Sequence, residues 1–333
     1  MRKNCQVYDA MKILIIRFTA LGDLVTLEPT FRAFRYFYKE AKITLLTSSF
    51  GKGLYEDSDY FDDYVVHKNF WTTVKSLRKE YFDLVINLQC NKPSHYINLL
   101  LHKDQTINKS FNLFQKIFHI KTHSKNIQEM LLCANVPQNT ITSYFQNAEN
   151  DTILLPSCKD KTKSTCHRIA LSTGSSERWK SKQWGVENYC DLIQKLSQQG
   201  IKITLVGSKL EADDATYIQN RIPTVLNFVG KTSLGELKNI LHSVDLYIGN
   251  DSGPTHIAAG VGTDTLTIFG STGIKHCPAF EKYKGVHLYI KPDSSIACHP
   301  CYKGVCLTQH ECMKNISVET VFSKIIEHLK GQK

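Results

Sequence analysis

Short apolar runs of strand length alternate twice along this chain with stretches of helical periodicity, and that alternation most limits what it can fold into. Lys12–Arg17 is a continuous apolar run, as a strand buried on both faces requires. A turn follows at Thr19–Asp23, and a helix is expected from Leu24 to Tyr38, with Val25, Phe31, Phe34 and Phe37 on its buried stripe. Strands are expected at Ile43–Thr47, Tyr64–His67 and Leu84–Leu88, with a helix at Thr72–Glu80. Residues 147–168 are polar and aperiodic and read as a linker. The pattern then restarts with strands at Arg168–Ser172, Lys202–Val206, Val225–Phe228, Leu246–Gly249 and Thr265–Phe269. Helices are expected at Val186–Gln198, Leu210–Asn220 and Leu234–His242, with another starting at Pro254–Gly260. A final amphipathic helix is expected at Ser317–Leu329. Strands spaced by helices imply crossover units and parallel sheets. The expectation is an α/β protein of two Rossmann-like halves facing across a cleft, residues 1–160 and 161–333.

A chain of 333 residues is long enough for two cores. No apolar run approaches the ~18 to 20 residues of a membrane span. Arg2 and Lys3 are followed by Asn4, Gln6, Tyr8 and Asp9, which does not read as a secretory signal, so a cytoplasmic location is expected. The eleven cysteines then read as thiols. A net charge of +10 suits nucleic acid, an anionic membrane or a phosphorylated substrate alike.

Ligands of open parallel sheets gather at the carboxyl ends of strands. Four loops at such ends carry candidate chemistry. Arg17-Phe18-Thr19-Ala20-Leu21-Gly22-Asp23 offers Asp23 as a catalytic or binding carboxylate, although an aspartate there also starts helices. This loop lacks the three glycines of a dinucleotide fingerprint, which weakens a nicotinamide enzyme. Asn250-Asp251-Ser252-Gly253-Pro254-Thr255-His256 follows a strand and opens a helix, with Ser252 as N-cap and Pro254 in the first turn. Its free N–H groups and the helix dipole suit a diphosphate, and His256 adds a donor. Ser172–Trp184 brings Ser175, Ser176 and Lys182 to a third loop, and Gly207–Glu211 brings a carboxylate to a fourth. Each of these last two is equally an ordinary polar loop.

Three further segments are weighed. Cys298, Cys301, Cys306 and Cys312 could hold a structural zinc, but the spacing is unlike the usual paired knuckles and a metal-free structural role is favoured. Asp57-Ser58-Asp59 spells the Asp-x-Asp of some metal-dependent transferases, yet it lies in an acidic stretch and reads as a solvated turn. Residues 100–125 mix lysines with aromatics and read as a solvated helix, an RNA face or a patch for an anionic bilayer.

Together these loops resemble glycosyltransferase family 9, the ADP-heptose–lipopolysaccharide heptosyltransferases. The resemblance rests on Ile13–Arg17 with Leu21-Gly22-Asp23 and Pro29, on Lys182-Gln183-Trp184 and on Val206-Gly207 with Glu211. It continues in Asp251–His256 and Phe269-Gly270-Ser271-Thr272, and in the cysteine-bearing tail. It implies a GT-B fold whose C-terminal half holds the donor and whose final helix crosses back to the first domain. It implies an inverting, metal-independent transfer of heptose from ADP-heptose to the lipopolysaccharide inner core, with no cofactor. Asp23 is then the general base, and Arg17 and Gly22 lie on the acceptor side. Ser175, Ser176, Lys182, Asp251, Ser252, Gly253, Pro254 and His256 hold the donor phosphates, and Glu211 holds the ribose. The expected partners are a nucleotide sugar, an anionic glycolipid and, transiently, the cytoplasmic face of the inner membrane, with no nucleic acid. Residues 90–165 match little, so acceptor and sugar are less fixed than the fold. The alternatives are transfer of another nucleotide sugar, a nucleotide-sugar epimerase of the same architecture and, more distantly, a basic RNA-binding protein.

Overall fold

The computed structural model describes residues 11–109, 126–156, 166–274 and 278–331. The chain divides into two compact units between Thr152 and Ile153, a little before the expected boundary. In the first unit, β1 (Lys12–Ile16), β2 (Lys42–Thr47), β3 (Asp63–Val66), β4 (Tyr81–Asn87) and β5 (His102–Asn108) form one sheet in the order β3-β2-β1-β4-β5. Each adjacent pair is parallel. Ile13, Leu14, Ile15 and Ile16 are all fully buried, because β1 is central and covered on both faces. The connection reverses direction between β1 and β4, which makes their carboxyl ends the switch point where a crevice opens.

The single helix expected at Leu24–Tyr38 is two, Leu21–Thr26 and Glu28–Phe37. Pro29 sits in the first turn of the second and has no N–H to continue the first. Within that second helix Glu28 is wholly buried, and its carboxylate meets Arg32 at 2.9 Å and the Tyr60 hydroxyl at 2.7 Å. Arg32 also donates to the carbonyls of Glu149 (3.1 Å) and Thr152 (2.5 Å), tying the end of the first unit to its core. Just beyond, Ile153 bridges to Tyr283 and the Leu155 N–H donates to the Gly260 carbonyl. The expected linker is thus anchored up to residue 156 on one unit or the other, and its residues 157–165 lie outside the described ones.

The second unit holds β6 (Arg168–Ser172), β7 (Lys202–Leu205), β8 (Leu226–Asn227), β9 (Leu246–Asn250), β10 (Asp264–Ile268) and β11 (His287–Ile290). Their order is β11-β10-β9-β6-β7-β8, all parallel, with the reversal between β6 and β9. This is the doubly wound order of a Rossmann domain. The last helix, Val318–Gly331, buries Val321, Ile325 and Leu329 in this unit's own core, against the helix Val186–Gln198. Trp184 closes the same core, its indole N–H donating to the Ile316 carbonyl at 2.9 Å.

Removing Arg32 tests the first unit's anchoring. Arg32→Met leaves a buried carboxylate without that cation, a change that costs about 3–5 kcal/mol. Urea unfolding is expected to show a loss of this size, and a loss under about 1 kcal/mol, the value of an exposed ion pair, would mean that Arg32 does not anchor this unit.

Candidate active site

In the first unit the site forms at the β1/β4 switch point. Arg17, last in its apolar run, is nearly buried and donates to the Leu88 carbonyl at 2.7 Å. Its other amino group meets Asp23 Oδ2 at 2.6 Å. The same oxygen accepts the Ala20 N–H at 3.1 Å, so Asp23 also starts the helix Leu21–Thr26, as its sequence position allowed. Both contacts fall on Oδ2, and the Asp23 side chain is 58% exposed. Its carboxylate is fixed yet open to a substrate. Gly22 lies beside it in the helix's first turn. Gln89, after β4, receives the N–H groups of Phe18 and Thr19 and holds the loop in place. Lys109, at the end of β5, lies close to Arg17, Asp23 and Cys90, and burial first, then Arg17, pushes its ammonium pKa down. Of the other lysines of that basic stretch, Lys103 lies in β5, and Lys116, Lys121 and Lys125 lie outside the described residues.

The second unit gathers the remaining candidates at the ends of β10, β9, β6 and β7. Lys182 Nζ meets Asp251 Oδ2 at 2.7 Å and the Asp251 carbonyl at 3.1 Å. It also lies 4.9 Å from the centre of the Trp179 ring. Asp251 takes a further hydrogen bond from the Thr272 hydroxyl at 2.8 Å. Burial alone would push Asp251 up, but Lys182, His256 and Thr272 outweigh it and hold the carboxyl below its ordinary range. His256 Nε2 lies 3.9 Å from Asp251, while its Nδ1 faces the Tyr283 hydroxyl at 3.0 Å and its ring stacks on Phe280. Ser252 holds the N-cap position of the helix Gly253–Gly260, with Pro254 in the first turn. Its side chain does not cap, contrary to expectation, and its buried hydroxyl lies beside that of Tyr247. A buried hydroxyl beside open helix N–H groups suits an anion.

Two other expected contacts differ in kind. Ser175 is buried and donates to the Trp179 carbonyl at 2.8 Å, so its hydroxyl shapes the loop. Ser176 is exposed at the start of the short helix Glu177–Lys182. Glu211 is nearly buried and accepts from Ser208 at 2.8 Å. A Cβ on Gly174 would fall 1.8 Å from its Oε1 and one on Gly207 3.0 Å from its Oε2, so both glycines make room for this carboxylate. Burial pushes Glu211 up, against the hydrogen bonds from Ser208.

Several residues that build this site were not among the candidates. Asn250, fully buried, donates to the carbonyls of Thr173 (2.8 Å) and Gly174 (3.0 Å) and accepts from Tyr189 (3.0 Å). It ties the loop after β6 to the loop after β9. Ser181 bonds Ser271 at 2.8 Å and the Lys303 carbonyl at 2.5 Å. His299 Nδ1 meets the Gly270 carbonyl at 2.7 Å, and His310 Nε2 meets the Ser181 carbonyl at 3.0 Å. The cysteine-bearing tail is therefore a brace behind the loops after β6 and β10. Cys298, Cys301, Cys306 and Cys312 are free thiols, and among the described residues no three His, Cys, Asp or Glu side chains are placed to share a metal ion.

Known proteins resemble this chain along most of its length. Residues 70–310 match the model of glycosyltransferase family 9 (heptosyltransferase). Lipooligosaccharide heptosyltransferase 2 of Campylobacter jejuni is 26% identical over 96% of this chain and 98% of its own length. Lipopolysaccharide heptosyltransferase 3 of Escherichia coli is 25% identical over 75% of this chain and 80% of its own. Among solved structures, a family 9 glycosyl transferase from Veillonella parvula superposes with a TM-score of 0.75 at 18% identity, covering 97% of this chain and 98% of that one. The ADP-heptose LPS heptosyltransferase II of E. coli gives 0.71 at 15% identity, covering 97% and 99%. The fold is thus GT-B, two Rossmann-like domains, and the chain belongs to glycosyltransferase family 9, the heptosyltransferase family.

Proposed function

We propose that this chain moves heptose from ADP-heptose to the inner core of lipopolysaccharide, inverting the anomeric carbon without a metal. The observation that carries this reading is the joined set Lys182–Asp251–Thr272 with His256 and the uncapped Ser252, at the N-terminus of the helix Gly253–Gly260. Lys182 (held by Asp251), His256 and the helix N–H groups supply hydrogen-bond donors for a diphosphate, and electrostatic preorganisation of that kind takes the place of a cation at a leaving group. In this reading Glu211, in the loop after β7, accepts the ribose hydroxyls; its buried carboxylate beside Gly174 and Gly207 supports that role. The family, and the ADP-heptose in the name of the E. coli protein of like fold, support the choice of donor.

In this reading Asp23 is the general base. Arg17 and the Ala20 N–H hold Oδ2, so Oδ1 takes the proton from the acceptor hydroxyl as its oxygen attacks the anomeric carbon. The carbon–oxygen bond to the diphosphate breaks on the opposite side, and the new negative charge leaves on ADP. Arg17 and Lys109 lend positive charge to the anionic glycolipid acceptor. The enzyme works at the cytoplasmic face of the inner membrane and takes no part in nucleic-acid binding.

Asp23→Asn is expected to keep ADP binding in a thermal-shift assay and to lose roughly 10²- to 10⁴-fold in kcat; near-parental turnover would remove Asp23 from the mechanism. In a panel of ADP, UDP, GDP and CMP, only ADP is expected to raise the melting temperature, unaffected by EDTA. A selective response to UDP or GDP would discard heptose. Glu211 supplies a pH test. Its ionised form accepts the ribose hydroxyls, and its pKa is raised. ADP affinity is therefore expected to weaken as pH falls, beginning above the ordinary carboxylate range. Glu211→Gln should bind more weakly at neutral pH and lose that acid limb; an unchanged pH profile in the variant would free Glu211 of the role.

A further inference from the structure

We propose that the carboxyl edge of the first unit's sheet docks on an anionic lipid bilayer, with Phe50 and Trp71 as apolar anchors and Lys52, Lys68 and Lys92 as headgroup contacts. The proposal deepens the glycolipid-acceptor reading and rests on it for its purpose, though not for its observations.

Phe50 is 62% exposed and Trp71 73% exposed. They lie in neighbouring loops. Phe50 opens the helix Ser49–Tyr55 after β2, and Trp71 opens the helix Phe70–Leu77 after β3. The two strands are adjacent and parallel, and the His67 N–H donates to the Thr47 carbonyl at 2.7 Å just where both end. Neither aromatic lies on its helix's buried face, although Trp71 meets Phe70 edge-on at 5.0 Å. Ser48 and Asn69 cap the two helices, and Leu54, Tyr55, Val74 and Leu77 supply their buried faces. Large aromatics held outward at helix starts, beside lysines, have the amphipathic character of membrane–water interface residues.

Charge is segregated to match. Among the described residues, 17–23, 47–52, 67–71, 88–92 and 109 form the loops of this edge, and they contain Arg17, Lys52, Lys68, Lys92 and Lys109. Asp23 is their one carboxylate, and it is paired with Arg17. The other, amino edge of the strands carries Glu40, Glu56, Asp57, Asp59, Asp62, Asp63, Glu80, Asp83 and Asp104, which outnumber the cations Lys12, Lys39, Lys42, Arg78, Lys79 and Lys103 set among them, so that this edge is net acidic. A bilayer bearing negative headgroups is complementary to the first edge and repelled by the second. Asp23 lies on the docking edge, so an acceptor sugar whose lipid stays in the bilayer would be offered at the base.

The test is co-sedimentation of the full chain with phosphatidylcholine vesicles, with and without phosphatidylglycerol, followed by tryptophan emission. Trp184 is buried and Trp179 half-buried, so Trp71 should dominate any blue shift. Binding is expected only with phosphatidylglycerol and should weaken with salt. Trp71→Phe should abolish the blue shift. The Phe50→Ala/Trp71→Ala pair should weaken partition at least about tenfold. Lys52→Gln/Lys68→Gln/Lys92→Gln should weaken it by roughly a hundredfold, at about fivefold per lysine. Both variants should transfer heptose to a lipid-free oligosaccharide acceptor at the parental rate. A parent that ignores anionic vesicles, or variants that bind them as the parent does, would overturn the surface. So would binding equally well to an acidic protein in place of vesicles. A parent that binds vesicles through Trp71 yet transfers heptose to no acceptor would overturn the transferase reading and leave the surface standing.

Discussion

The pairing of Lys182 with Asp251 is the interaction around which the second unit's site is organised. Both groups are largely out of water, and a buried ion pair persists only when its geometry is good and its spare lone pairs are bonded. Here a 2.7 Å contact, a second contact to the Asp251 carbonyl and the Thr272 hydroxyl meet that condition. The pair joins the loops after β6, β9 and β10, which are far apart in sequence and adjacent in the sheet. Asn250 repeats the joint one residue earlier through backbone carbonyls. The outcome is a set of donors held at fixed positions before any substrate arrives, the condition for electrostatic stabilisation of a leaving group.

Support for these loops comes from behind. The tail from Cys298 to Met313 has the composition of a metal knuckle, but its visible work is done by backbone and histidines. His299 and His310 hold the Gly270 and Ser181 carbonyls, and the Ser181 hydroxyl reaches Lys303. Gly304 is needed because a Cβ there would fall 2.1 Å from the Arg178 carbonyl. Four cysteines drew attention in the sequence, while one glycine and two histidines carry the contacts.

That contrast marks what a sequence of this kind discloses. Central strands such as β1 and β9 were legible because burial on both faces demands an unbroken apolar run. β5 and β11 were not, because an edge strand carries polar residues such as His102, Lys103 and Asp104 that look like loop. The helix Lys92–Leu99 was also missed, although Asn91 and Pro93 signal its start. Asp23, Lys182, Glu211, Asp251 and His256 could be picked out because chemistry-bearing residues after strands are few, and the structure groups the last four in one unit. Asn250, Ser271 and Thr272 stand in loops the sequence marks, but their roles are not legible there, because their value lies in contacts spanning 21 to 90 residues of sequence. The break at Pro29 was visible in principle, but helical periodicity continues across it and hid the kink.

The central claim is a single displacement at the anomeric carbon by an acceptor that Asp23 deprotonates. Proton NMR of the sugar product formed from ADP-heptose, with EDTA present, tests it most directly. The account predicts a product of inverted anomeric configuration, formed only when acceptor is supplied and at a rate indifferent to chelation. Retention of configuration, or conversion of the donor sugar without acceptor, would contradict it.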